Sequence, residues 1–292
     1  MKRWLIRSGP GLGDTLVASA LINSIRSQVM GVEIYFWCPG RYACLYERAP
    51  YQVVKGSLKH IKFDVFVNMS NKPMEVNALK KVDCMDKWWG LDTHQYVPKL
   101  FLKRLNLRYI NSNASVYIHV SPRPSKRLKI GLCNMTKERV KLMPKATEQY
   151  LIESLLQREN IEVVFLAGKG FIGNDIEYEG VRVFDGDVKG LVNEIASCSL
   201  VISIDCGVMH LAAAMGKPTV AVFGPSDWRT WAPQGKNVRV VFNKMGQCSG
   251  CMKQKTDNPK CTEVKWCMER VMPGMILATG YNLLEEMRGV SV

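Results

Sequence analysis

The sequence predicts an α/β protein built from two Rossmann-like domains, and three observations carry that prediction. Short apolar runs alternate with longer segments of helical periodicity, the pattern of a parallel sheet covered by helices on both faces. Two of those runs end in glycine-bearing turns, S-G-P-G-L-G at residues 8–13 and D-C-G at residues 205–207. A polar, proline-bearing stretch, S-P-R-P-S-K-R at residues 121–127, divides the series in two and sets the expected domains at 1–125 and 126–292. A chain of 292 residues with 47% apolar content suffices for two cores of ordinary size.

In the first half, R-W-L-I-R at residues 3–7 reads as a short strand. The glycine turn follows, and residues 14–26 form a helix with Leu16, Ala20 and Ile25 at helical spacing. V-E-I-Y-F-W-C at residues 32–38 and D-V-F-V-N-M at residues 64–69 are the next strands. Segment 72–110 is less regular and holds a basic amphipathic helix, K-L-F-L-K-R-L-N-L. Gly9, Gly11 and Gly13 resemble the opening of the dinucleotide pattern G-x-G-x-x-G. Asp14, however, stands where the third glycine belongs, and no acidic ribose ligand closes the second strand, which disfavours a dehydrogenase. Gly11 and Gly13 are assigned instead to a turn that lets sugars approach the backbone.

The second half offers strands at residues 129–133, 163–167, 200–204 and 219–223, with helices at 147–158 and 188–198. A last helix at residues 273–288 is expected to return to the first domain. Residues 205–225, D-C-G-V-M-H-L-A-A-A-M-G-K-P-T-V-A-V-F-G-P, form the most informative stretch. Asp205 ends a strand, Gly207 is expected to take a positive φ in the turn, and Ala212, Ala213 and Ala214 let the following helix lie close on the sheet. A helix N-terminus at the carboxyl end of a parallel strand offers free N–H groups to a phosphate, so the stretch reads as half of a diphosphate site.

That stretch resembles the C-terminal signature of glycosyltransferase family 9, the heptosyltransferase-like enzymes, D-[S/T]-G-x-x-H-x-A-A-x-x-G-x-P-x-x-x-x-F-G. The fixed positions agree in order except at Cys206, where the family has Ser or Thr. The resemblance covers the second domain and the opening thirty residues of the first. It implies the GT-B fold, two Rossmann-like domains facing a cleft, and inverting transfer of a sugar from a nucleotide-diphosphate donor, ADP-heptose-like, to the phosphorylated core of lipopolysaccharide. It makes Asp14, in the N-terminal G-D element, the general base. Lys141 and Pro144 fit the family's K-x-W-P element, with Met143 in place of the aromatic residue, and that lysine contacts the donor diphosphate; Lys137 or Arg139 can share the task. Asp205, Cys206, Gly207 and His210 hold the donor sugar and phosphates, and Ser226 and Asp227 line the same cleft.

Elementary chemistry is consistent with these roles. A carboxylate at a helix N-terminus is held ionised, which suits a base, although the same placement serves as a cap worth about 1 kcal/mol. A departing diphosphate gains negative charge, so one cation plus a helix N-terminus stabilises it without a catalytic metal.

Cys248, Cys251, Cys261 and Cys267 have the spacing C-x2-C-x9-C-x5-C, which suits a structural tetrahedral Zn²⁺; free thiols and disulfides are the alternatives. Trp88 and Trp89, beside Lys87 and ahead of His94, can stack on a sugar or base or simply pack in the core. Residues 1–125 hold 18 Lys and Arg against 8 Asp and Glu, net +10, which leaves 22 against 18, net +4, for the rest of a chain of net +14. That field favours a polyanionic acceptor and peripheral contact with an anionic membrane. Two further readings stay open: glycosylation of a hydroxylated base in DNA, and a non-catalytic protein that binds sugar nucleotides or nucleic acid. No signal-like opening and no run of eighteen apolar residues is present, so a cytoplasmic protein is expected.

Overall fold

The computed structural model describes residues 1–54, 58, 60–70, 72–83, 95–110, 113–122, 125–166, 173, 178–243 and 266–288. The chain divides into two compact units, Met1–His119 and Val120–Val292. Both are α/β, and both are organised around an all-parallel sheet.

In the first unit, strands β1 (Lys2–Arg7), β2 (Val32–Trp37), β3 (Gln52–Val54), β4 (Lys62–Asn68) and β5 (Asn77–Asp83) lie in the order β3-β2-β1-β4-β5. The apolar runs become the three central strands. Leu5, Tyr35, Phe63 and Phe66 join one apolar cluster, and the Tyr35 and Phe63 rings meet edge to face at 5.3 Å. Helix α1 (Leu12–Arg26) buries Leu16, Val17, Leu21 and Ile25 and contacts helix α2 (Val97–Arg104). The sequence reading assigns no strand at β3 or β5. β3 is three residues long, and β5, N-A-L-K-K-V-D, buries Val82 alone. Lysines on such an edge strand deter pairing with a further chain.

The second unit contains β6 (Leu128–Cys133), β7 (Ile161–Leu166), β8 (Arg182–Phe184), β9 (Leu200–Ile204), β10 (Thr219–Phe223) and β11 (Val238–Phe242), in the order β11-β10-β9-β6-β7-β8. Helices α3 (Lys145–Leu156), α4 (Val188–Ser197), α5 (Gly207–Ala214), α6 (Trp228–Trp231), α7 (Trp266–Glu269) and α8 (Pro273–Arg288) complete it. β6, β9 and β10 are almost wholly buried, as apolar strands covered on both faces must be.

The structure seats the last helix and corrects the expectation for Gly207. The last helix, α8, seats its apolar face on its own unit's sheet, where Ile276, Leu283 and Leu284 join the core of Leu200, Ile202 and Val220. Gly280 makes this close approach feasible, because a Cβ there would stand 2.9 Å from Leu200. Gly207 does not take a positive φ: it is the first residue of α5, and the left-handed residue is Gly216, φ 73°, just past the helix end, where a glycine turns the carbonyl end.

In each sheet the chain leaves the first central strand toward one edge and returns to its other side. β1 is flanked by β2 and β4, and β6 by β7 and β9. The crevice outside the carboxyl ends of such a strand pair is where open parallel sheets bind ligands.

Candidate active site

At the β6/β9 crevice the loop after β6 is clamped before it can present anything. The buried Asn134 amide donates to Glu148 and to the Met143 carbonyl (3.2 Å), and its oxygen accepts the Met143 N–H (2.9 Å). Met143 is itself buried, and Pro144 begins helix α3. The clamp leaves a short 3₁₀ turn, Arg139–Lys141, on the crevice side.

Lys141 Nζ lies 2.9 Å from Asp205 Oδ2 at the end of β9 and 2.9 Å from Glu138 Oε2. Burial works against the Lys141 charge, but the two carboxylates outweigh it and hold the ammonium well above its ordinary pKa. Burial would raise Asp205, yet Lys141, a hydrogen bond with Ser226 and the nearby His210 leave its carboxyl below the usual range. Both groups are therefore charged at neutral pH. His210, one turn into α5 and 5% exposed, is pushed down to about 4 by burial, which prevails over the attraction of Asp205. It is neutral at pH 7.

Cys206 occupies the N-cap of α5 in extended conformation. Its sulfur lies 3.6 Å from Cys133 Sγ and 3.3 Å from Ser203 Oγ. The Cys133 hydrogen bond, which outweighs burial, together with Ser203 and the N–H groups of Val208 and Met209, draws the Cys206 thiol below its ordinary pKa; Cys133 is raised by the same contact and by burial. After β10, Gly224 packs so tightly on α7 that a Cβ would fall 2.1 Å from Met268 Sδ and 3.5 Å from Cys267 Sγ. Ser226 is buried beyond it, and Asp227 caps α6 by accepting the Arg229 N–H at 3.1 Å.

The first unit's crevice holds a different arrangement. Asp14 stands in the first turn of α1 and accepts the Gly11 N–H at 2.9 Å, the half of a capping box that a glycine N-cap allows. Its carboxyl rests on Gly9, where a Cβ would lie 2.7 Å away. Gly13 is in the same first turn, and Arg41 Nη2 donates to the Pro10 carbonyl at 3.0 Å, bracing the loop from outside.

The structure thus brings Lys141, Asp205, Cys206, Gly207, His210 and Ser226 to one crevice of the second unit, and Gly11, Gly13 and Asp14 to one turn of the first. Lys137 and Arg139 are exposed beside the former. Trp88, Trp89, Cys248, Cys251 and Cys261 lie outside the described residues, while Cys267 is buried in α7. Among the described residues no three His, Cys, Asp or Glu side chains are grouped to hold a metal ion, and no helix is long and apolar enough to cross a membrane. Asn134, Glu138, Ser203 and Cys133 are additions to the site. Of these Cys133 and Ser203 left a trace in the sequence, as residues of two expected strands.

Comparison with known proteins supplies the family. Residues 41–262 match glycosyltransferase family 9 (heptosyltransferase). The lipooligosaccharide heptosyltransferase 2 of Campylobacter jejuni is 33% identical over 135 residues, 46% of this chain and 36% of that protein. The chain thus spans about a third of the length of the curated relatives it matches first. The solved ADP-heptose lipopolysaccharide heptosyltransferase II of Escherichia coli superimposes with a TM-score of 0.70 at 17% identity, covering 98% of this chain and 99% of that one. An iron-containing dodecameric glycosyltransferase, TibC, from enterotoxigenic E. coli gives a TM-score of 0.70 at 15% identity over 98% of this chain and 77% of its own. These likenesses establish the GT-B fold.

Proposed function

The chain belongs to glycosyltransferase family 9, and from that premise we propose that it transfers a sugar, with inversion, from a nucleotide-diphosphate donor of the ADP-heptose kind to a lipopolysaccharide core. The observation that carries the donor half is the pair of half-buried Lys141 and buried Asp205 beside the N-terminus of α5. A helix N-terminus and a lysine at a β-strand switch point form an anion site suited to a diphosphate. Asp205 and Glu138 hold the ammonium in place; a bound diphosphate takes over part of that role, and its charge grows as the glycosidic bond breaks. Ser226 orients Asp205 through a hydrogen bond, and the neutral His210 beside it is available to hydrogen-bond the donor.

On the acceptor side, Asp14 takes the proton of the attacking hydroxyl. Its capping bond uses one carboxylate oxygen and fixes the group's direction. The acceptor is recognised by the basic first half, which also favours contact with an anionic membrane face from the cytoplasm. Cys248, Cys251, Cys261 and Cys267 hold one structural metal. Four thiolates suit Zn²⁺ and also iron, so elemental analysis of purified protein, expected to give about one metal per chain, identifies which.

The reading is tested by incubating the protein with ADP-heptose and a phosphorylated core oligosaccharide and following product mass. Transfer to the oligosaccharide is expected. A sugar-sized mass gain on nucleosides from DNA bearing hydroxymethylated pyrimidines, with none on the oligosaccharide, would replace this acceptor by DNA. Absence of both transfer and donor hydrolysis would return the chain to a binding role.

A further inference from the structure

The single departure from the family motif, Cys206, is also the residue whose sulfur faces a second sulfur. We propose that Cys133 and Cys206 form a redox modification site, at which a hydroperoxide makes a disulfide that closes the donor turn. The second half of this inference rests on the donor reading above.

Geometry gives the two thiols unequal parts. Cys133 ends β6 and is fully enclosed, whereas Cys206 at the N-cap of α5 is partly exposed. β6 and β9 are neighbours in the sheet, with Cys133 in register with Ser203, so both sulfurs project from adjoining strand ends. Their 3.6 Å separation must shrink to the ~2.05 Å of a disulfide, a change within reach of side-chain rotation at a strand end. Ser203 Oγ and the amides at the start of α5 favour the Cys206 thiolate, the form that attacks peroxides.

The chemistry balances in two steps. The Cys206 thiolate attacks one peroxide oxygen; the O–O bond breaks, sulfur is oxidised to the sulfenic acid, and the peroxide leaves as water or an alcohol after taking a proton. The Cys133 thiol then attacks that sulfur, the S–S bond forms, and hydroxide leaves and takes the thiol proton to become a second water. A thiol reductant reverses the result by exchange. The disulfide would tie the α5 N-cap to the end of β6, so the first amides of α5 could no longer approach a diphosphate.

The test uses the full chain with hydrogen peroxide in small excess, followed by alkylation, proteolysis and mass spectrometry, with ADP binding measured by calorimetry in parallel. A linked peptide pair joining Cys133 to Cys206 and lighter by two hydrogens is expected. ADP affinity should fall at least about tenfold and recover with dithiothreitol. The Cys133→Ser variant should form no link and accumulate sulfinic acid at Cys206. If that variant folds poorly, the wild-type peptide map alone decides the disulfide. Both thiols recovered alkylated after peroxide would overturn the proposal, as would a linked protein that binds ADP undiminished. A reduced protein that binds no nucleoside diphosphate, but still forms the link, would count against the donor reading and against closure, not against the thiol pair.

Discussion

The two crevices share one topology and use it in opposite ways. In the first unit the turn after β1 is filled by the protein's own carboxylate: Asp14 lies against Gly9 and occupies the Gly11 amide. In the second unit the start of α5 carries no carboxylate of its own; the negative charge stands one residue earlier, at Asp205, and is matched by Lys141. A helix N-terminus already given an anion cannot serve a phosphate well, whereas one flanked by a lysine can. The same strand-turn-helix geometry therefore holds a fixed carboxylate in one unit and an amide turn beside a lysine in the other, which is why the proposed function gives the first the part of a base and the second that of an anion receptor.

The contrast is sharpest in stability. Replacing Lys141 by Met removes the cation from a buried carboxylate, and breaking such a pair from one side costs about 3–5 kcal/mol. Urea denaturation at pH 7 measures this, and the cost should shrink as the pH is lowered, because without the Lys141 ammonium burial raises the Asp205 carboxyl and lets it take a proton. A loss under 1 kcal/mol would mean that Asp205 is well solvated and the receptor picture is wrong.

His210 gives the next effect. Its folded pKa, about 4, lies below the unfolded value of about 6.5, so between those values the unfolded chain binds a proton that the folded chain refuses. Stability from this group is complete above pH 6.5 and falls as pH drops toward 4, by up to about 3 kcal/mol. His210→Gln should flatten the stability-versus-pH curve in that window. An unchanged slope would show the imidazole to be accessible to protons.

Asp14→Asn is the smallest of the three in stability and the largest in activity. The amide oxygen can still accept the Gly11 N–H, so unfolding should shift by less than about 1 kcal/mol, while turnover drops at least about 10²-fold. Wild-type turnover in this variant would make Asp14 a cap and nothing more, erasing the contrast between the units.

Much of this fold was legible in the sequence because β1, β2, β4, β6, β7, β9 and β10 are buried apolar runs whose composition alone demands a covered sheet. The edge strands β3, β5 and β8 were not, since their order comes from a neighbour's backbone and not from their own side chains. β11, V-R-V-V-F, is a different miss: its apolar pattern was present but the reading stopped at the preceding loop. For the site, the motif located Asp205, Cys206 and His210 together, and Lys141 followed from the four-residue K-L-M-P element. The Asn134–Glu148 clamp and the approach of Cys133 to Cys206 were invisible, because nothing local marks a contact between residues fourteen or seventy-three positions apart. Buried Lys129, 3.6 Å from Glu194, is a similar case: its charge reads as surface until the partner is known.

The seat of α8 sets the order in which the second unit can be completed during synthesis. Strands β9, β10 and β11 leave the ribosome with one apolar face bare, and the helix that covers them, with Ile276, Leu283 and Leu284, is made last. Every earlier contact of β6 with β9 also spans a long loop, which slows closure. The nascent second unit therefore keeps apolar surface uncovered until residue 284 has emerged, whereas the described strands of the first unit, which end at Asp83, can pair while the remainder is still being translated.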